Sequence, residues 1–135
     1  TAWVEGEKGY GEGSRIIYDL RTLARDDCDA SYIDSITIVN GYAKNDVTFK
    51  NNSRVKDIEI SFLQYSSSSE SNRYIEKKHL FTLKDTSKPQ TFYFNRQEAY
   101  WMTIKIKSVY PGLKYKDTAI SEIKIFFYDW WNDLE

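Results

Sequence analysis

Hydrophobic and polar residues alternate along much of this chain. Ile58, Ile60 and Phe62 fall on one side of a run whose other side carries Asp57, Glu59 and Ser61. Met102, Ile104 and Ile106 alternate with Thr103, Lys105 and Lys107, and Ile123, Ile125 and Phe127 are separated by Lys124 and Phe126. A period of two is that of a half-buried antiparallel strand, whose successive side chains point to opposite faces. Residues 15–20, 32–40, 79–83 and 90–94 are rich enough in β-branched and aromatic side chains to be read as further strands. About seven strands predict an all-β sandwich or barrel.

Helix is scarce in this pattern. Leu20, Leu23 and Ala24 fall at helical spacing, which predicts a short turn within residues 19–29. The serine-rich stretch at residues 66–71 reads as a solvated hairpin loop. No repeat and no Pro- or Gly-rich linker divides the 135 residues, a length that suits one domain with one core.

Composition narrows the functional classes. The 19 basic and 20 acidic residues cancel, so net charge nominates neither nucleic acid nor an anionic membrane, although single loops are free to be polarised. The longest apolar stretches are about one strand long, well short of the roughly 20 residues of a spanning helix. A lone Cys28 has no internal disulfide partner, and with the single His79 it falls short of a zinc set.

Catalysis finds little support. His79 shares a strand face with Phe81 and Leu83, where a histidine is a rim or core residue more often than a general base. Cys28 lies in the acidic run Asp26-Asp27-Cys28-Asp29, which disfavours a thiolate. The glycines of Gly6-Glu7-Lys8-Gly9-Tyr10-Gly11-Glu12-Gly13 suggest a phosphate loop, but they lead into an expected strand and lack a Gly-Lys-Ser/Thr step. They read instead as a loop that needs left-handed backbone angles or close approach.

Two connections differ from plain scaffold. One runs from Asn40-Gly41-Tyr42-Ala43-Lys44-Asn45-Asp46 to Lys50-Asn51-Asn52-Ser53-Arg54-Val55-Lys56; the other is Tyr110-Pro111-Gly112-Leu113-Lys114-Tyr115-Lys116-Asp117. Both mix aromatic rings with amides and cations. Sugars are bound by such mixtures, ring faces stacking on C–H patches while amide, carboxylate and guanidinium groups take the hydroxyls. The same residues also suit ordinary polar turns, with Tyr42 and Tyr115 as buried props.

Taken in order, Thr1-Ala2-Trp3-Val4-Glu5-Gly6, the glycine loop, the two polar-aromatic connections and the following Thr118-Ala119-Ile120-Ser121-Glu122-Ile123 carry a resemblance. The chain resembles the discoidin-like domain described as the glycan-binding or translocation domain of bacterial NAD glycohydrolase toxins. The likeness runs over residues 1–128, leaving 129–135 as a C-terminal tail. It implies a galactose-binding-like jelly-roll sandwich and a carbohydrate-binding or surface-docking role. It does not imply NAD cleavage, which belongs to a separate domain. The family pattern has a strand and an Asp-containing turn ahead of the Thr-Ala-Trp block, so an N-terminal strand is expected upstream of Thr1.

Under this resemblance Tyr10, Tyr42, Lys44, Asn52, Arg54, Lys56, Tyr115 and Asp117 are the candidate ligand-binding residues. Arg54 and Lys56 either face the ligand or pair with Glu5 or Asp117, and Trp3 is assigned mainly to the core. Ser121-Glu122-Ile123 resembles the closing strand of related modules, where the glutamate helps hold a structural calcium; Glu122 is the metal candidate by that likeness. Calcium takes six to eight oxygens, and Asp117 and Glu122 offer two carboxylates. Trp130 and Trp131 either pack across the sandwich or mark an interdomain contact. The expected partner is a glycan or cell-surface glycoconjugate, together with other domains of a larger protein; nucleic acid and membrane insertion are not expected. The resemblance implies an extracellular or cell-surface location in a bacterium.

Overall fold

Ten strands and one short helix make up the described part of the chain, which in this computed structural model comprises residues 3–4, 9–20, 31–67 and 72–128. The strands are β1 (Trp3–Val4), β2 (Arg15–Asp19), β3 (Ser31–Asn40), β4 (Ser53–Val55), β5 (Asp57–Ser67), β6 (Asn72–Thr82), β7 (Gln90–Ala99), β8 (Trp101–Ile106), β9 (Val109–Tyr110) and β10 (Thr118–Phe127). The helix, α1, spans Asp46–Asn51. One sheet has the order β7-β3-β10-β4-β9, with β1 also paired to β10; the other has the order β2-β8-β5-β6. Two facing sheets with non-consecutive neighbours form the all-β sandwich that the alternation predicts.

The inward residues assemble the core as their spacing requires. Ile58, Ile60 and Phe62 of β5 and Met102, Ile104 and Ile106 of β8 are all buried, opposite Ile36 and Ile38 of β3 and Phe94 of β7. Ile123, Ile125 and Phe127 pack against that cluster from β10. Each such side chain withdrawn from water contributes about 1.5–3 kcal/mol before entropy is counted.

Several expected boundaries move. The β5–β6 hairpin runs from Asp57↔Thr82 to Ser67↔Asn72, so Ser66 and Ser67 belong to a strand and residues 68–71, the rest of the serine stretch, lie outside the described residues. β6 begins seven residues before the expected 79, because its first half is polar and masks the alternation. It is the edge of its sheet, where exposed lysines such as Lys77 and Lys78 discourage pairing with a second chain. β10 begins at Thr118 rather than 123. The short turn expected at 19–29 falls almost wholly outside the described residues, as do Cys28, Trp130 and Trp131; the side chain of Trp3 is not described either.

His79 is a core-rim residue. Its ring lies in an aromatic cluster, edge-on to Phe62 at 5.8 Å and Phe94 at 5.4 Å and parallel to Phe81 at 6.3 Å. Its Nε2 is buried with no hydrogen-bond partner among the described residues.

Candidate functional site

Strand direction gathers the loops. β3 ends at Asn40, β6 at Thr82 and β8 at Ile106, while β2 begins at Arg15, β5 at Asp57, β7 at Gln90 and β10 at Thr118. The antiparallel registers therefore bring residues 9–14, 41–56, 83–89 and 107–117 to one end of the sandwich. Every expected ligand-binding residue lies in these segments. β10 runs away from this end, so Phe127 belongs to the opposite end.

The first connection is folded rather than open. Asn45 caps α1: its side chain accepts from the Thr48 backbone N–H at 2.9 Å while the Thr48 hydroxyl accepts from the Asn45 N–H at 3.2 Å. Asp46 in the first turn and Lys50 in the last suit the helix dipole. Asn40, fully buried at the end of β3, then joins this segment to β4. Its amide donates to the Val55 carbonyl at 2.7 Å and its side-chain oxygen accepts from the Val55 and Gly41 N–H groups at 3.0 and 2.9 Å. Gly41, at φ +73°, leaves no room for a side chain, since a Cβ would sit 2.7 Å from the Arg54 Cγ and from the Phe49 ring.

The second connection docks on the first. Leu113 N–H donates to the Lys50 carbonyl at 2.9 Å, and the Lys114 and Tyr115 N–H groups both donate to the Asn51 carbonyl at 3.1 and 2.8 Å. Ser53 accepts from the Gly112 N–H at 3.0 Å and donates to the Tyr115 carbonyl at 3.2 Å. A Cβ at Gly112 would press on the Asn51 carbonyl oxygen and lie 2.6 Å from Asn52 and Tyr115 backbone atoms. The two connections thus form one hydrogen-bonded unit, which holds its outward side chains in fixed relation.

Within that unit the expected residues divide. Arg54 is turned inward, its side chain only 10% exposed, and it pairs with Asp85 rather than with Asp117; Glu5 lies outside the described residues. Its Nη1 faces the carbonyls of Phe49, Lys50 and Asn52 at 3.2–3.4 Å, and its guanidinium lies 5.1 Å from the Phe49 ring. Asn52 likewise spends its amide on the Thr48 carbonyl at 2.9 Å, at the C-terminus of α1. Tyr42 is half-buried and its carbonyl accepts from the Thr48 hydroxyl at 2.9 Å. Tyr10 is half-buried too, its carbonyl bonded by Thr118, with the Lys116 ammonium 5.9 Å from its ring.

The remaining candidates face water. Tyr115 is 46% exposed, with the Lys114 ammonium 5.3 Å from its ring. Lys44 and Asp117 are exposed, and Lys56 is exposed with its ammonium 5.8 Å from the Tyr110 ring. Two residues the sequence reading missed join them, Leu113 at 81% and Val47 at 66% exposure. The outward surface combines one aromatic ring and two apolar side chains with several ammonium groups and a carboxylate. That set can stack and hydrogen-bond a polar ring, and it lacks a nucleophile and base within reach of one another.

Glu122 is exposed on the outer face of β10 and its carboxylate has the Lys124 ammonium at 3.4 Å. Among the described residues no three of His, Cys, Asp and Glu come together to hold a metal. A concavity of about 250 Å³ lies away from the loops on the outer face of the β2-β8-β5-β6 sheet, lined by Ile17, Ser61, Leu63, Glu76, Trp101 and Thr103.

A search of the curated proteins finds no match to this chain. Two solved structures share its fold. The CBM32 of AlyQ in complex with 4,5-unsaturated mannuronic acid is 17% identical with a TM-score of 0.53, the match covering 93% of this chain and 77% of that one. The Streptococcus pyogenes NAD+-glycohydrolase translocation domain, solved by NMR, is 19% identical with a TM-score of 0.56, covering 93% of this chain and 96% of that one. The family model described as the NAD glycohydrolase translocation F5/8 type C domain matches residues 1–126.

Proposed function

Since this chain belongs to the NAD glycohydrolase translocation F5/8 type C family, a module rather than a catalytic domain, we propose that it is a non-catalytic carbohydrate-binding module. It docks a larger secreted or surface protein of a bacterium to glycans through the loops at one end of the sandwich. The observation that carries this reading is the exposed Tyr115, with Leu113, Lys114 and Asp117, on a connection pinned by Asn51, Ser53 and Gly112. A rigid ring ringed by polar groups is the pattern that recognises a sugar. The mannuronic acid complex of the AlyQ module, on the same fold, is consistent with it.

The test is a glycan array followed by titration of the best ligand, with Tyr115→Ala as the binding variant and Trp101→Ala reporting on the sheet-face concavity. Saturable binding lost in the first variant and kept in the second is expected. Absence of binding by the folded chain sinks the reading, and loss only with Trp101→Ala moves the site to the sheet face. Arg54→Ala is unsuitable as a binding variant, because Arg54 holds the loops together.

A second reading is a protein-interaction or translocation module without a sugar site. The inward use of Arg54 and Asn52 favours it, as does the name of the S. pyogenes relative. A stoichiometric protein complex abolished by Trp131→Ala and kept by Tyr115→Ala is its distinguishing result.

A further inference from the structure

Charge that cancels along the chain does not cancel in space. Residues 9–14, 41–57, 84–89 and 108–117, all at the loop end, contain eight Lys and Arg against five Asp and Glu, in a chain with 19 and 20. One pair cancels within the set, which leaves seven lysines against four carboxylates. Asp85 is consumed by Arg54, and the Asp57 carboxylate accepts from the Thr82 and Ser108 hydroxyls at 2.6 and 2.7 Å. The seven lysines of this set are all exposed, and none has an ion-pair partner among the described residues. Outside this set the pairing is different: Lys78 and Lys107 flank Glu59, and Lys124 meets Glu122.

We infer that the ligand of the loop end is an acidic glycan, one bearing carboxylate or sulfate groups. This rests on the carbohydrate reading above and narrows it. Lys50 and Lys114 belong to the segments that hydrogen-bond one another beside Tyr115, and Lys116 follows it, so an anionic group beside a sugar ring stacked on Tyr115 meets several ammonium groups at once. Gathering unpaired like charges on one rigid unit is unfavourable, and an anion relieves that repulsion. A long polyanion such as nucleic acid would also meet the acidic remainder of the chain, whereas a short acidic oligosaccharide fits within the loop end.

The experiment titrates the whole chain with matched pairs of oligosaccharides: sialyllactose and lactose, an oligouronate and its methyl ester, a sulfated glycan and its desulfated form. Phosphatidylserine vesicles are measured alongside. The acidic member of at least one pair is expected to bind roughly tenfold or more tighter near 0.1 M salt, and to lose most of that advantage near 1 M, where the screening length falls from about 10 Å to 3 Å. Lys114→Glu with Lys116→Glu is expected to abolish the preference while leaving the melting curve in place. Neutral members binding equally well at both salt concentrations overturn the acidic assignment and leave the carbohydrate reading standing. Failure of every oligosaccharide overturns both. Vesicle binding as tight as that of the best acidic glycan overturns the assignment in favour of a lipid surface.

Discussion

Arg54 and Asp85 meet in a two-point ion pair, Nε to Oδ1 at 2.9 Å and Nη2 to Oδ2 at 2.8 Å, across 31 residues of sequence. The pair ties β4 to the connection between β6 and β7, and the third guanidinium nitrogen binds carbonyls at the end of α1. Because Asp85 is 38% exposed, the pair is worth less than a fully buried one. Arg54→Ala is expected to cost about 2–3 kcal/mol in urea unfolding, since three carbonyls lose a charged donor and Asp85 its partner, and Asp85→Ala about 1–2 kcal/mol. Arg54→Lys is expected to recover little, because an ammonium lacks the planar fork.

Asn40 substitutes for a strand neighbour, taking both the N–H and the carbonyl of Val55. Asn40→Leu is expected to destabilise by about 2–4 kcal/mol, since two buried backbone groups lose their partners. Asn40→Asp retains the acceptor and should lose less at the N–H than at the carbonyl, where two oxygens would face each other. Hydrogen exchange at the Val55 amide separates the two cases: fast in the leucine variant and still slowed in the aspartate variant.

Gly112→Ala is expected to undo the docking of the two loops, because its Cβ has only backbone atoms to displace. A loss of about 1–3 kcal/mol follows from overpacking of this kind. Weakened protection of the Leu113, Lys114 and Tyr115 amides, with the sheets still protected, is the expected exchange pattern.

Asp57 is held below its usual value of 3.8, chiefly by the Thr82 and Ser108 hydroxyls. A carboxyl with a lowered folded-state pKa adds stability that is present above the unfolded value and disappears as pH falls through the folded one. Thermal unfolding followed downward from about pH 6 should therefore steepen below pH ~4. Asp57→Asn is expected to flatten that slope; an unchanged slope removes Asp57 from the acid response.

His79 has an orphaned Nε2 among three phenylalanine rings. His79→Phe replaces it by carbon with little change of shape, and melting is expected to stay level or rise by up to about 1 kcal/mol. His79→Ala should lower stability by about 2–3 kcal/mol through the cavity it leaves. A fall in stability with phenylalanine would mean that the imidazole has a polar partner.

Neighbouring residues alone encode a definite part of this structure. Alternation at i and i+2 placed Ile58, Ile60 and Phe62, and Met102, Ile104 and Ile106, in a two-sheet core, because a strand offers each residue only two faces. The polar-aromatic connections were legible as well, by composition, and so was the left-handed backbone of Gly9, Gly11 and Gly13. Where local pattern fades, so did the reading: the polar first half of β6 carries no alternation, and α1 is too short for helical periodicity, marked only by its Asn45 and Thr48 cap.

Long-range packing selected which of the candidate residues face outward. Arg54, Asn52 and Tyr115 look alike as polar-aromatic loop residues, yet the strand order carries Asp85 to Arg54 and turns it inward, while Tyr115 is left outside. The same order gathers lysines from three separate connections at one end of a chain that is nearly neutral overall. The physical reason is range. Backbone sterics and side-chain periodicity act over a few residues, whereas charge pairing and hydrogen bonding across 30 or more residues exist only once the sheets have brought those segments together.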